Sequence, residues 1–156
     1  MHDALRRNIQ DILRMYHGRD ALEKIVDVLY SHIDHYSWIG IYLVEGIDLL
    51  LGPWRGKRAT EHTRIPIGKG ICGAAAESGI TEIIQDVHGD QRYLACFRST
   101  RSEIVVPIKN GSHIIGEIDI DSDISHAFTE EDRQFLEQLA ADTIFIKAVE
   151  EMREPA

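Results

Sequence analysis

The sequence is short of cationic charge, of cysteine and of long apolar runs. Against 26 acidic residues stand 17 lysines and arginines, a formal net charge of −9. That balance argues against nucleic acid or an anionic membrane as the main partner. No apolar stretch approaches the roughly 18 residues of a membrane span, and the segment Met1–Arg7 lacks a secretory pattern, so a cytoplasmic protein is expected. Two cysteines, Cys72 and Cys96, are too few for a disulfide framework, and in a reducing compartment a bond between them is expected to be transient. No repeat, low-complexity tract or long linker interrupts the chain. What is present is ordinary globular material: 156 residues, 44% hydrophobic and 28% charged, a single-domain length that buries a real core without metal or disulfide.

Apolar residues recur at helical spacing over 3–16 (Leu5, Ile9, Ile12, Leu13, Tyr16), and Gly18 breaks the pattern. A second helix is expected from an Asp20 cap, with Leu22, Ile25, Val26, Leu29 and Ile33 as its stripe. The period then changes: Trp38–Val44 is a continuous apolar run of strand length, followed by a second strand near 48–53. Residues 54–70 read as irregular, with a short strand at Thr63–Ile65. Gly68–Gly73 reads as a glycine-rich loop opening a short helix that ends near Gly79, before a strand at Thr81–Ile84. Asp86–Ser102 reads as a long functional loop. Glu103–Ile108 and His113–Ile120 flank Asn110-Gly111, which predicts a hairpin with a type I′ turn. Thr129 caps one last long helix. Few helices separate the strands, so the expected class is α+β, a largely antiparallel sheet with the terminal helices on one face and the loops on the other.

Both cysteines sit beside loops. Cys72 lies at a predicted helix N-terminus and Cys96 among Arg92, Arg98 and Arg101, settings that favour a thiolate; the alternative is a small packed Cys72 and a solvated arginine rim. Period-2 alternation puts Glu117, Asp119 and Asp121 on one strand face, with Glu103 at the start of the partner strand. Converging near a cysteine, such carboxylates suit an ammonium group or a proton donor; the alternative is a charged face turned to solvent. Gly68–Gly73 offers backbone N–H groups to an anion but is no P-loop. Eight histidines are scattered, and His32 and His35 lack an obvious third ligand, so no metal is expected. Trp38 and Tyr42 share a strand face, as pocket lining or as core.

Together, Trp38-Ile-Gly-Ile-Tyr42, Leu51-Gly-Pro-Trp-Arg-Gly-Lys57, Thr63-Arg-Ile-Pro-Ile-Gly-Lys-Gly-Ile-Cys-Gly73, Asp86-Val-His88, Leu94-Ala-Cys96, Ser102-Glu-Ile-Val-Val-Pro107 and Ile118-Asp-Ile-Asp-Ser122 resemble the free methionine-(R)-sulfoxide reductases of the GAF-domain family. The resemblance implies one GAF domain over 1–156 (core about 20–150), PAS/profilin-like, with about six antiparallel strands and a small closed pocket. It implies Cys96 as nucleophile and Cys72 as resolving cysteine. Glu103, Asp119 and Asp121 would hold the amino group and the sulfoxide oxygen, and Trp38 and Tyr42 would surround the sulfur. Thioredoxin, fed by NADPH, would be the reductant, no cofactor would be bound, and a homodimer is expected. The substrate carboxylate is assigned here to the N–H groups of Gly70, Ile71 and Cys72 up to Gly73. Two positions depart from the family: His62 stands where many members carry a third cysteine, and Phe97 follows the nucleophile where Asp is frequent. The competing reading is a GAF module that binds a small ligand or senses redox state without catalysis.

Overall fold

Alternation along the central strands sorts the side chains into two apolar layers, one on each face of a single sheet. The computed structural model describes residues 2–94, 97 and 99–153. In chain order the elements are α1 (Asp3–Met15), α2 (Gly18–His32), β1 (Trp38–Glu45), β2 (Asp48–Gly56), β3 (Arg64–Pro66), α3 (Gly70–Ser78), β4 (Glu82–Ile84), β5 (Ser102–Asn110), β6 (His113–Ser122), α4 (Glu130–Ala141) and α5 (Thr143–Arg153). The six strands run in the order β3-β2-β1-β6-β5-β4, every neighbouring pair antiparallel. The expected α+β sheet is therefore observed, with β1 and β6 at its centre.

Ile39 and Ile41 of β1, Ile104, Val106 and Ile108 of β5, and Ile118 and Ile120 of β6 face the helical layer. Against them pack Leu22, Ile25 and Leu29 from α2, Phe135 and Leu136 from α4, and Phe145 and Val149 from α5. The intervening residues Trp38, Tyr42 and Val105 face the opposite layer, which α3 and the loops cover with Ile71, Cys72, Ala75 and Ala76. This is the period-2 geometry of a strand applied to both faces of one sheet.

Four local expectations are corrected. α2 begins at Gly18, with His17 in the capping position, so Asp20 sits in the first turn, where the helix dipole favours its charge. Asn110 stays paired with His113, which leaves Gly111 and Ser112 as the two turn residues. Of these only Gly111 has positive φ (64°), the pattern of a type II′ turn and not of type I′. The last helix is two: the Asp142 carboxylate accepts the N–H groups of Ile144 (2.8 Å) and Phe145 (3.1 Å), starting α5 where a continuous α4 would have run on. β2 also reaches Gly56, three residues past the expected end near 53.

Asp132 ties the helical layer to the chain entering the sheet. Its carboxylate accepts the Tyr36 hydroxyl (2.9 Å), the Thr129 N–H (2.9 Å) and Thr129 Oγ1 (3.2 Å), and contacts His35 Nε2 at 2.9 Å. The Thr129 side chain closes the capping box. Burial opposes ionisation of Asp132, but His35, the Thr129 N–H and Tyr36 outweigh it and hold the carboxyl below the usual range. Replacing Asp132 by Ala strands the buried Tyr36 hydroxyl and removes the cap. A loss of about 3 kcal/mol in urea unfolding is expected; an unchanged midpoint would show that these bonds add nothing.

Candidate active site

The acidic row is buried. On β6, Glu117, Asp119 and Asp121 point to the loop-covered face, and Glu103 of β5 stands directly opposite Asp121. Their exposures are 0%, 2%, 1% and 5% for Glu117, Asp119, Asp121 and Glu103, which removes the alternative of a solvated sheet face. On the other side β1 sets Tyr42 opposite Glu117, Gly40 opposite Asp119 and Trp38 opposite Asp121; directly opposed residues have Cβ atoms about 5 Å apart. α3 lies across the row and brings Cys72 onto it: the Cys72 sulfur, one oxygen of Glu103 and one of Asp119 lie within 4.8 Å of one another.

Burial is the largest influence on Glu117, Asp119, Asp121 and Cys72. It pushes the carboxyls of Glu117, Asp119 and Asp121 upward, with the charge of Asp119 adding to the effect on Glu117 and Asp121. Hydrogen bonding with Glu103 works the other way at Asp119 and Asp121 without reversing the direction. The Cys72 thiol is pushed well above its usual value by burial first, then by Asp119, Glu117 and Glu103. The thiolate expected from the helix N-terminus is thus overturned for Cys72. A helix end contributes about 0.3–1 kcal/mol at an exposed site, too little against burial and three adjacent carboxyls. Such a row stores protons when empty and ionises when a cation enters, because an opposite charge favours the ionised form.

A cavity of about 200 Å³ opens at one end of the row, lined by Ser37, Trp38, Lys57, Arg58, Phe97, Ser99, Thr100, Asp121 and Asp123. Trp38 is its aromatic wall. Its ring stacks on Trp54 (6.3 Å between centroids) and tilts against Phe97 (6.1 Å). It lies flat over Gly40 and Gly56, where an added Cβ would come within 2.4 Å of the indole. Tyr42 is 1% exposed and lines no part of the cavity; its hydroxyl donates to the His62 carbonyl at 2.7 Å, pinning the 57–63 segment over the sheet.

The candidate residues thus divide. Trp38 and Asp121 reach the cavity, while Cys72, Glu103, Asp119 and Tyr42 are buried and do not line it. Gly70 and Ile71 open α3 but do not line the cavity, and the Gly73 N–H donates to the Lys69 carbonyl (3.0 Å). Cys96 lies outside the described residues. His32 contacts its own helix at the Val28 carbonyl and His35 contacts Asp132, so neither joins the site. Lys57 and Arg58 are cavity residues that sequence reasoning missed; Lys57 ended one of the quoted motifs, but nothing local says that this segment folds back over Trp38.

A model of the GAF domain matches residues 17–144. The chain belongs to the GAF-domain family. It is 43% identical over 114 residues to a free methionine-R-sulfoxide reductase of Escherichia coli (strain K12), covering 73% of this chain and 68% of that protein. Among solved structures it resembles the type II free methionine-R-sulfoxide reductase of Thermoplasma acidophilum (TM-score 0.82, 35% identity, 91% of this chain and 97% of that one). It also resembles the Neisseria meningitidis free methionine-R-sulfoxide reductase solved in complex with its substrate (TM-score 0.84, 34% identity, 93% and 86%). Within the GAF family the chain therefore stands with these reductases, which are oxidoreductases. Among the described residues no helix is long and apolar enough to cross a membrane.

The raised Glu117 carboxyl has a consequence for stability. The folded state keeps a proton that the unfolded chain has already lost above about pH 4.3, so stability falls as pH rises from there towards the folded value. Glu117→Gln removes that penalty. It should match the wild type at pH 4 and have the higher Tm at pH 8. Parallel melting curves across that range would refute the assignment.

Proposed function

We propose that the protein reduces free L-methionine-(R)-sulfoxide to methionine. The observation that carries this reading is the buried row Glu103, Asp119 and Asp121 meeting Cys72 beside the Trp38 cavity, in a chain 43% identical to a free methionine-R-sulfoxide reductase. Cavity and row together suit a zwitterion. The ammonium group lies at Asp121 with Asp119 and Glu103 behind it. The carboxylate lies towards Lys57 and Arg58, and the methylthio end against Trp38. A methionine sulfoxide inside a polypeptide carries neither terminal charge and gains nothing from these groups.

The Cys96 thiolate attacks the sulfoxide sulfur, and a proton from the acidic row goes to the oxygen. Methionine departs as the oxygen passes to sulfur, leaving Cys96 as a sulfenic acid. Cys72 then condenses with it, forming the disulfide and releasing water; thioredoxin returns both cysteines to thiols at the expense of NADPH. This two-cysteine cycle needs the Cα atoms of Cys72 and Cys96 to come within about 7 Å. Because the Cys72 thiol is protonated at rest, a base must take its proton at the resolving step, and carboxylates of the row stand within reach. A cytoplasmic setting, rich in reduced thioredoxin, and a homodimer built on the terminal helices belong to this reading, as does a role in repairing oxidised methionine.

The test is a thioredoxin-coupled NADPH assay with the free (R) sulfoxide, the free (S) epimer and a peptide-bound sulfoxide, repeated with dithiothreitol. Turnover of the free (R) form alone is expected. Cys96→Ser should abolish it with either reductant. Cys72→Ser should lose thioredoxin-supported turnover while still releasing about one methionine per chain. Asp121→Asn should cost about 10²-fold in kcat/KM, and Arg58→Ala should raise KM several-fold. No turnover with either reductant would discard the reductase reading in favour of a ligand-binding GAF module.

A further inference from the structure

The closed end of the acidic row holds a group that the reductase reading does not use. Glu117 is fully buried, and neither of its oxygens has an N–H or O–H donor among the described residues. Its neighbour across β1, Tyr42, spends its hydroxyl on the His62 carbonyl, and its neighbour across β5 is Pro107, which has no N–H. The polar group that the Glu117 carboxyl does face is the Cys72 thiol. Asp119 Oδ1 is likewise without a donor. Leaving such acceptors buried and unpaired costs about 1–3 kcal/mol each. A cation removes that cost.

The cavity touches the row at Asp121 and not at Glu117, Asp119 or Cys72, so this end lies behind it. The sulfur beside the carboxyls also selects. Thiolate is a soft donor that favours zinc-like ions, whereas magnesium and calcium favour all-oxygen sites. One donor atom each from Cys72, Glu103 and Asp119 already lies within 4.8 Å of the others. A tetrahedral zinc site with bonds of about 2.0–2.3 Å sets its donors roughly 3.5 Å apart, so contraction by about 1 Å closes the shell.

We propose that Cys72, Glu103, Asp119 and Glu117 form a buried site for one thiophilic divalent cation of the zinc type. Binding changes no oxidation state: the metal–sulfur and metal–oxygen bonds form as the thiol and carboxyl protons leave to solvent. Where the reductase reading holds, the ion excludes substrate, since it occupies Cys72 and the acids together.

The experiment adds Co²⁺, a spectroscopic stand-in for Zn²⁺, to untagged, reduced Cys96→Ser protein, in which Cys72 is the one remaining cysteine. One equivalent should bind with a near-ultraviolet thiolate-to-cobalt charge-transfer band, and Zn²⁺ should displace it. Cys72→Ser should lose the band, and Glu117→Gln should bind at least about tenfold more weakly, 1.4 kcal/mol. Zn²⁺ should raise the Tm of Cys96→Ser but not that of Cys72→Ser, and should release more than one proton per ion at pH 7. These last two readings decide the matter even if Glu117→Gln does not fold. The proposal is overturned by absence of the band at saturating Co²⁺, by its persistence in Cys72→Ser, or by unweakened binding to folded Glu117→Gln. Neither substrate nor reductant enters these measurements, so failure here and failure of the reductase assay are separate results.

Discussion

The structure turns on the desolvation of the carboxyls that β6 carries to the loop-covered face of the sheet. Water is the cheapest partner for a carboxylate, and here α3, Trp38 and the loops withhold it. Each acid responds by holding its proton more tightly, and the row becomes a neutral surface that charges when a cation arrives. An apolar strand in its place would have given a better-packed and more stable sheet. The acids fit a ligand better than they fit the fold.

That arrangement needs a rigid frame, and the opposite face supplies it. Ile118 and Ile120 alternate with the acids and lock β6 to the helical layer through Ile104, Ile39 and the α2 and α4 side chains. A slip of one residue in β6 would bury the acids among isoleucines and expose isoleucines to the cavity, so the register is strongly enforced. The Asp132 cluster of Tyr36, His35 and Thr129 anchors α4 to the segment that enters β1, fixing the strand that presents Trp38.

The covering layer is built from closer approaches. Trp38 rests on two glycines, and a methyl group at either would lift the indole from the sheet. The Tyr42 hydroxyl holds the 57–63 segment in place by its backbone, a bond indifferent to which side chain stands at position 62. Lys57 and Arg58 follow that segment to the cavity, which they line together with Asp121 and Asp123.

Local patterns in the sequence were sufficient for the strands, the hairpin and the shared face of Glu117, Asp119 and Asp121, because period and turn chemistry act between near neighbours. They gave the helices too, though not the break at Asp142, where a capping carboxylate competes with a good helical stripe over a single turn. The joint motifs carried the family. What local pattern could not give was the state of Cys72. The dipole at the start of α3 argues for a thiolate, and only the packing of α3 onto three acids, distant in sequence, reverses it. The cavity of Trp38, Lys57, Arg58 and Asp121 likewise exists only where segments far apart in the chain meet. Side-chain periodicity and capping are short-range and can be read along the chain; desolvation and mutual charge depend on what lies across the fold, so tertiary structure alone decided them.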